Sequence, residues 1–210
     1  MVLLVKLTMW VKERFYRLNL KKSFFLTKIF LIFLFSTNIS LADIQKKLIN
    51  KLTGTKTLSF NFNQKISDQE EIGNCFIKYP LLMKCNYKNF KQKTIISNGK
   101  TVAIIKKKYK KIYYYPIKTT PLFFILQKSE IINLIRKNPP LKVDSDFIIF
   151  QFIDKKENKI KIIFDKKSLD LRGWETQDIY SNNVSFEISS LKINNQIIDD
   201  FFRIPREEDL

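Results

Sequence analysis

The chain has 210 residues, with 38 Lys and Arg against 20 Asp and Glu, no His and only four Gly. Without His there can be no Ser-His-Asp triad, no Cys-His dyad and almost no zinc-imidazole site, and four Gly leave a glycine-rich dinucleotide loop without material. The 45% hydrophobic content suits one folded domain and excludes a disordered chain, while the formal charge of +18 comes with a general richness in Lys, Ile, Asn and Phe and by itself names no partner.

In chain order, Lys21 and Lys22 precede an apolar run from Phe24 that is strongest over Ile29–Phe35, and Ser40 with Ala42 gives a small-x-small pattern. This is the layout of a cleavable secretory signal peptide, with cleavage expected after Ala42. The alternative is a membrane anchor, but the unbroken apolar run is short for ~30 Å of hydrocarbon, and Lys28 interrupts the stretch. Residues 1–20 read as an extended basic n-region or an unused upstream start. The division is thus a leader over 1–42 and a folded domain over 43–210. No Cys stands at the cleavage point, so a soluble exported product is expected.

Asp43 can cap a short helix carrying Ile44, Leu48, Ile49 and Leu52 on one face. After Gly54 the period becomes two: Leu58, Phe60 and Phe62 alternate with Ser59, Asn61 and Asn63, a strand with one apolar face. The same rhythm predicts strands at 71–79, 82–88, 93–97, 100–106, 109–115, 146–153, 159–165, 169–178, 183–192 and 196–204. Turn signals at Asn98-Gly99, Lys155–Asn158, Ser181–Asn183 and Asn194-Asn195 separate several of them. No βαβ rhythm occurs, so the sheet is expected to be antiparallel.

Residues 119–138 break the alternation. Pro121 opens one helix with Leu122, Phe123, Ile125 and Leu126; Ser129 can cap a second with Ile131, Ile132, Leu134 and Ile135, and Pro139-Pro140 stops it. The expected architecture is mainly β, with a helical lid over a single curved antiparallel sheet. With Pro80 as the centre of a hairpin turn, Cys75 faces Cys85, Ile77 faces Met83 and Lys78 faces Leu82. Directly opposed residues lie within disulfide reach, and an exported protein meets oxidising conditions. The alternative is two buried free thiols.

Several short motifs mimic chemistry. Ser97-Asn98-Gly99-Lys100-Thr101 has S-x-x-K and G-K-T spacings, but Asn-Gly between two alternating apolar runs reads as a hairpin. Lys106–Lys111 suits either a solvated turn or contact with an anionic membrane surface or acidic partner; nucleic acid is disfavoured in an exported chain. Asp144 with Asp146, Asp199 with Asp200, and Glu207–Asp209 offer paired carboxylates, with nothing around them to fix a separation, so solvated loops are expected. No metal or cofactor site is expected. The unusual resource is aromatic. Thirteen of the 19 Phe follow the leader, and Phe60, Phe62, Phe123, Phe124, Phe147, Phe150 and Phe152 can either fill an ordinary core or line a dry cavity for an apolar ligand.

The ordered set of segments resembles the outer-membrane lipoprotein carrier (LolA) family. It comprises Phe60-x-Phe62-x-Gln64, Gly73, Tyr79-Pro80, Ile95-Ile96-Ser97-Asn98-Gly99-Lys100-Thr101, Thr120-Pro121-Leu122, Ile162-x-Phe164-Asp165, Leu169-x-Leu171-Arg172-Gly173-Trp174, Asp178 and Phe201-x-x-Ile204-Pro205. The resemblance runs over nearly all of 43–206. It implies an incomplete β-barrel around an apolar cavity, no enzymatic activity and a periplasmic location. It also implies a monomer that takes lipoproteins by their acyl chains from an inner-membrane releasing transporter to an outer-membrane acceptor. Another lipid-binding or envelope-sensing module on the same fold is the alternative, and an enzyme such as a glycosidase or serine hydrolase a more distant one.

On that resemblance the cavity would be lined by Leu58, Phe60 and Phe62 of the first strand and Ile77 and Met83 of the hairpin. Phe123, Leu126, Ile131 and Ile135 would close over them from the lid, and the face would not be filled to core density. The family usually places an Arg before the hairpin proline, where it helps latch the lid. Tyr79 stands there and can donate a hydrogen bond but carries no charge. The Cys75–Cys85 pair is not general in the family.

Overall fold

The computed structural model describes residues 41–153, 159–177 and 182–210. The leader through residue 40 and the turns expected at 155–158 and at 181 lie outside them. The described chain opens with helix α1 (Leu41–Gly54). Six strands follow as a meander: β1 (Thr57–Ile66), β2 (Gln69–Lys78), β3 (Leu82–Tyr87), β4 (Lys93–Asn98), β5 (Thr101–Lys106) and β6 (Lys111–Pro116). Helices α2 (Leu122–Leu126) and α3 (Lys128–Lys137) interrupt the strands. The chain then forms β7 (Lys142–Val143), β8 (Phe147–Ile153), β9 (Lys159–Asp165), β10 (Leu171–Gln177) and β11 (Asn183–Ile193).

All eleven strands belong to one antiparallel sheet, in the order β6-β5-β4-β3-β2-β1-β11-β10-β9-β8-β7. It is open, with β6 and β7 at its edges. β1 lies in the middle, between its sequence neighbour β2 and the final strand β11. The hairpin registers follow from side-chain alternation. Cys75 lies opposite Cys85, Ile77 opposite Met83 and Lys78 opposite Leu82. Each pair puts two side chains on the same face, and a slip of one residue would turn this apolar set to the other side.

One face, here the inner one, carries Leu58, Phe60, Phe62, Cys75, Ile77, Met83, Cys85, Trp174, Phe186 and Ile188, all buried. Helix α2 packs there through Ile125 and Leu126. Toward β8 and β9 a second apolar cluster joins Ile148, Phe150, Phe152, Ile160, Ile162 and Phe164 to Ile131 and Ile135 of α3 and Leu48 of α1. The lid is therefore made by three helices. α1 is fastened to α3 by Gln45, whose Nε2 donates to the carbonyls of Ile135 and Asn138, each at 2.8 Å.

Four expectations are corrected. Residues 196–204 form no strand: they contain a 3-10 turn at Asp199–Phe202. The segment runs across the outer face, where Phe201 meets Phe76 edge-on at 5.0 Å and Phe202 is buried. Ile204 and Leu210 cover a third apolar cluster of Ile96, Ala103, Ile105 and Ile112. Asp43 is not the cap of α1 but lies in its first turn, paired with Lys47 at 2.7 Å. Ser129 does not cap α3, which starts one residue earlier after Gln127; the Gln127 amide instead donates to the Ser129 hydroxyl at 3.2 Å. The strand expected from 109 begins at Lys111, because Lys107–Tyr109 is a 3-10 turn closed by Lys110 in the left-handed region.

Candidate functional site

β1 sets the chemistry of the inner face. Its inward set runs Phe60, Phe62 and Gln64, two buried rings followed by an amide, and the amide is used: the Tyr87 hydroxyl donates to Gln64 Oε1 at 2.7 Å. Burial, reinforced by the Glu71 charge, pushes the Tyr87 phenol well above its ordinary pKa. Phe62 lies 4.8 Å from the Tyr87 ring and 4.6 Å from that of Phe186, and Phe186 stacks on Trp174 at 4.1 Å. Gly73 makes this possible. A Cβ there would stand 2.6 Å from the Phe62 ring and 2.1 Å from the Asn86 carbonyl oxygen, closer than atoms can approach.

The lid meets this face through apolar side chains and a few polar contacts. The Leu81 N–H, just past Tyr79-Pro80, donates to the Leu126 carbonyl at the end of α2, at 3.1 Å. The Ser97 hydroxyl fixes the same turn by donating to the Leu81 carbonyl at 2.6 Å. Ser97 is thus a buried strand residue in the service of a turn, and Asn98-Gly99 is a hairpin turn between β4 and β5, with Gly99 at φ +93°. The other short motifs have structural partners too. Asp144 accepts turn N–H groups, Asp199 pairs with Lys78 at 2.5 Å, and Asp209 closes a capping box with Arg206.

Lys128, the first residue of α3, reaches the end of α1: its Nζ donates to the carbonyls of Thr55 at 2.6 Å and Thr53 at 3.2 Å. The same ammonium sits 5.6 Å from the centre of the Tyr79 ring. Burial, followed by the charge of Lys56, lowers the Lys128 pKa, and burial raises that of Tyr79. The cation at this junction is therefore supplied by the lid, and Tyr79 offers it a π face.

Beneath this junction lies a recess of about 380 Å³, its open mouth included, lined by Leu52, Leu58, Tyr79, Ile131, Phe164 and Leu171 among others. Lys51 and Asp170, which also line it, are paired at 2.6 Å. The part that water can enter is about 20 Å³, room for one molecule.

The residues expected to line one cavity divide accordingly. Leu58 and Ile131 meet at the recess, beside Tyr79. Phe60, Phe62, Ile77, Met83 and Leu126 pack in the first apolar cluster, with Phe123 partly buried against it. Ile135 belongs to the second cluster, over β8 and β9. Four aromatic residues from β1, β10 and β11, namely Phe60, Phe62, Trp174 and Phe186, interlock in the middle of the inner face. Cys75 and Cys85 are joined by a disulfide within this face, with Cα atoms 4.1 Å apart. Leu52, Leu169, Leu171, Leu191 and Ile193 also line the recess, and of these the alternation in Leu169-Asp170-Leu171 marks Leu169 and Leu171 in the sequence.

The family profile described as outer membrane lipoprotein carrier protein LolA matches residues 53–205. An outer-membrane lipoprotein carrier protein of Francisella tularensis subsp. tularensis is 35% identical over 74 residues, which are 32% of this chain and 36% of that protein. The corresponding protein of the subspecies novicida is 36% identical over a stretch of the same length. The chain thus aligns with about a third of the length of these curated relatives. Among solved structures, an uncharacterized conserved protein of Thermus thermophilus has a TM-score of 0.48 at 8% identity, covering 79% of this chain and 95% of that one. A LolA superfamily protein of Nitrosomonas europaea has a TM-score of 0.43 at 8% identity, with 79% and 98% covered. With its family profile spanning the whole sheet and both lid helices of the insert, this chain belongs to the outer-membrane lipoprotein carrier family.

Proposed function

We propose that the protein is a non-enzymatic periplasmic carrier that shields the acyl chains of lipoproteins between the inner and outer membranes. The observation that carries this reading is the junction of lid and sheet: an almost wholly apolar interface beneath three helices, fastened at a few polar points. Apolar contacts are non-directional. Acyl chains can therefore replace the lid's side chains against Phe60, Phe62, Ile77 and Met83 when α2 and α3 lift, at little net change in buried apolar surface. Each acyl CH₂ exposed to water costs about 0.8 kcal/mol, so the chains must stay shielded throughout the crossing, while a move from bilayer to protein gains little by itself. The face must hold the chains less firmly than a membrane does at the point of delivery, and a face that can refill itself with its own side chains meets that requirement.

Loading needs an energy source. An inner-membrane releasing transporter is the partner this reading requires on one side, and a membrane or membrane-bound acceptor on the other. Export would proceed through the 1–42 leader, giving a mature chain that begins at Asp43.

The test is a release assay with inner-membrane vesicles carrying a radiolabelled lipoprotein. Addition of the protein should bring the label into the soluble fraction as a one-to-one complex visible by native mass spectrometry. A complex with free phospholipid and no lipoprotein would point to the other lipid-binding role, and no bound lipid of either kind would end the carrier reading.

A further inference from the structure

Between Glu71 and Glu130 the sequence contains no acidic residue, and its 13 basic residues are all Lys. The fold gathers eight of them at one end of the sheet. Antiparallel pairing sets Lys93 opposite Lys106, and Lys106 opposite Lys111. The β3–β4 turn with Lys88 and Lys91 therefore lies beside the β5–β6 turn with Lys107, Lys108 and Lys110. Of the bordering carboxylates, Glu70 accepts from Asn63, Glu71 is bonded to Asn89 and Lys93, and Glu207 accepts the Ile112 N–H. Each is engaged with a partner outside the Lys107–Lys110 turn.

The same end exposes rings. Phe90 is 76% exposed and Tyr109 50% exposed, and along the edge strand β6, which runs from this end toward the other, Tyr113, Tyr114 and Tyr115 are all above 40%. Lysine ammoniums lie over several of them: Lys108 is 2.8 Å from the Phe90 ring centre and Lys106 is 5.0 Å from that of Tyr113.

We propose that this end of the sheet, the β5–β6 turn together with Phe90, docks the protein on an anionic phospholipid surface. Two features select a bilayer over an acidic protein. The cations are all ammoniums, point charges without the planar fork that fixes a carboxylate in one geometry, and a field of mobile phosphates suits them. Phe90 and Tyr109 stand in water at the tip, and the interfacial layer of a membrane takes in such rings while the adjacent lysines meet head groups. The attraction acts within a Debye length and is screened by salt. This surface is separate from the inner face, and its use does not depend on the identity of the cargo.

The purified protein is mixed with phosphatidylglycerol vesicles or phosphatidylcholine vesicles and sedimented. Binding to phosphatidylglycerol should exceed that to phosphatidylcholine by about 100-fold or more and should fall steeply with added salt. The combined change of Lys107, Lys108, Lys110 and Lys111 to Gln should remove most of it while the thermal melt stays in place. A second variant, Phe90→Ser with Tyr109→Ser, keeps every charge and should weaken binding several-fold without altering the salt dependence. Absence of binding to phosphatidylglycerol, equal binding to both vesicles, or full binding by the four-lysine variant would overturn the proposal. Capture by an immobilised polyglutamate peptide with no vesicle binding would assign the surface to an acidic protein instead.

Discussion

Lys128 and Tyr79 show how one exchange of residues redistributes a contact. A cation on the hairpin turn could make charged contacts with lid carbonyls; Tyr79 carries no charge to do so, and here a lid lysine donates to the carbonyls of Thr53 and Thr55. Lys128→Met keeps the length of the side chain and loses both bonds. It should lower stability by about 1–2 kcal/mol, the range for a charged donor discounted for partial exposure. It should also speed hydrogen exchange at the Leu81 N–H, which is bonded to the Leu126 carbonyl. Unchanged exchange there would show that Lys128 does not hold the lid.

Asp144 permits a prediction with a sign. Its carboxylate accepts the N–H groups of Phe147 and Asp146 and faces Lys142 at 3.0 Å, which lowers its pKa to about 2. Asp165 is lowered as well, first by the Ser168 N–H. An unfolded chain lacks these bonds, so its carboxylates titrate near ~4. The turn's contribution is therefore complete above about pH 4 and is lost as pH falls toward 2. Asp144→Asn should flatten the acid limb of a plot of stability against pH. An unaltered limb would place the acid sensitivity elsewhere.

Among the elements, the C-terminal segment packs on the outer face of the sheet. Phe202 is 1% exposed, and its neighbour Phe201 lies half-buried between Phe76 and the Lys84 ammonium. Phe202→Ala should cost about 3–5 kcal/mol, and Phe201→Ala clearly less, in equilibrium unfolding by urea. Similar losses at both positions would mean that the segment packs differently.

This segment also marks the limit of reading elements from sequence. Alternation located the hairpins because each strand of an antiparallel pair must present every second residue to a common core, and symmetry about Pro80 was enough to set Cys75 against Cys85. The 196–204 stretch carries paired apolar residues too, but pattern alone does not distinguish a hydrogen-bonded strand from an extended strap lying across one. The division of the lid was equally hidden. The apolar faces of α1 and α3 were both visible, while their mutual packing over β8 and β9 depends on contacts some ninety residues apart. The ring contacts of the inner face were hidden as well, since a list of Phe residues does not say which rings interlock.

For the whole molecule, the strand order has a consequence for synthesis. Of the described strands β1 is the first to be made, and β11, which must seal its second edge, is the last: the Thr57 hydroxyl donates to the Asn195 carbonyl, 138 residues away. The β1–β6 meander needs only short closures and can form while later residues are still being made, whereas the β1–β11 seam waits for the longest closure among the described strands. Until it zips, a ten-residue strand with Phe60 and Phe62 on it stands with an open row of N–H and C=O groups, the condition under which chains pair with one another. The chain thus passes through an interval when its own central seam needs shielding from water and from other chains, and the order of emergence determines how long that interval lasts.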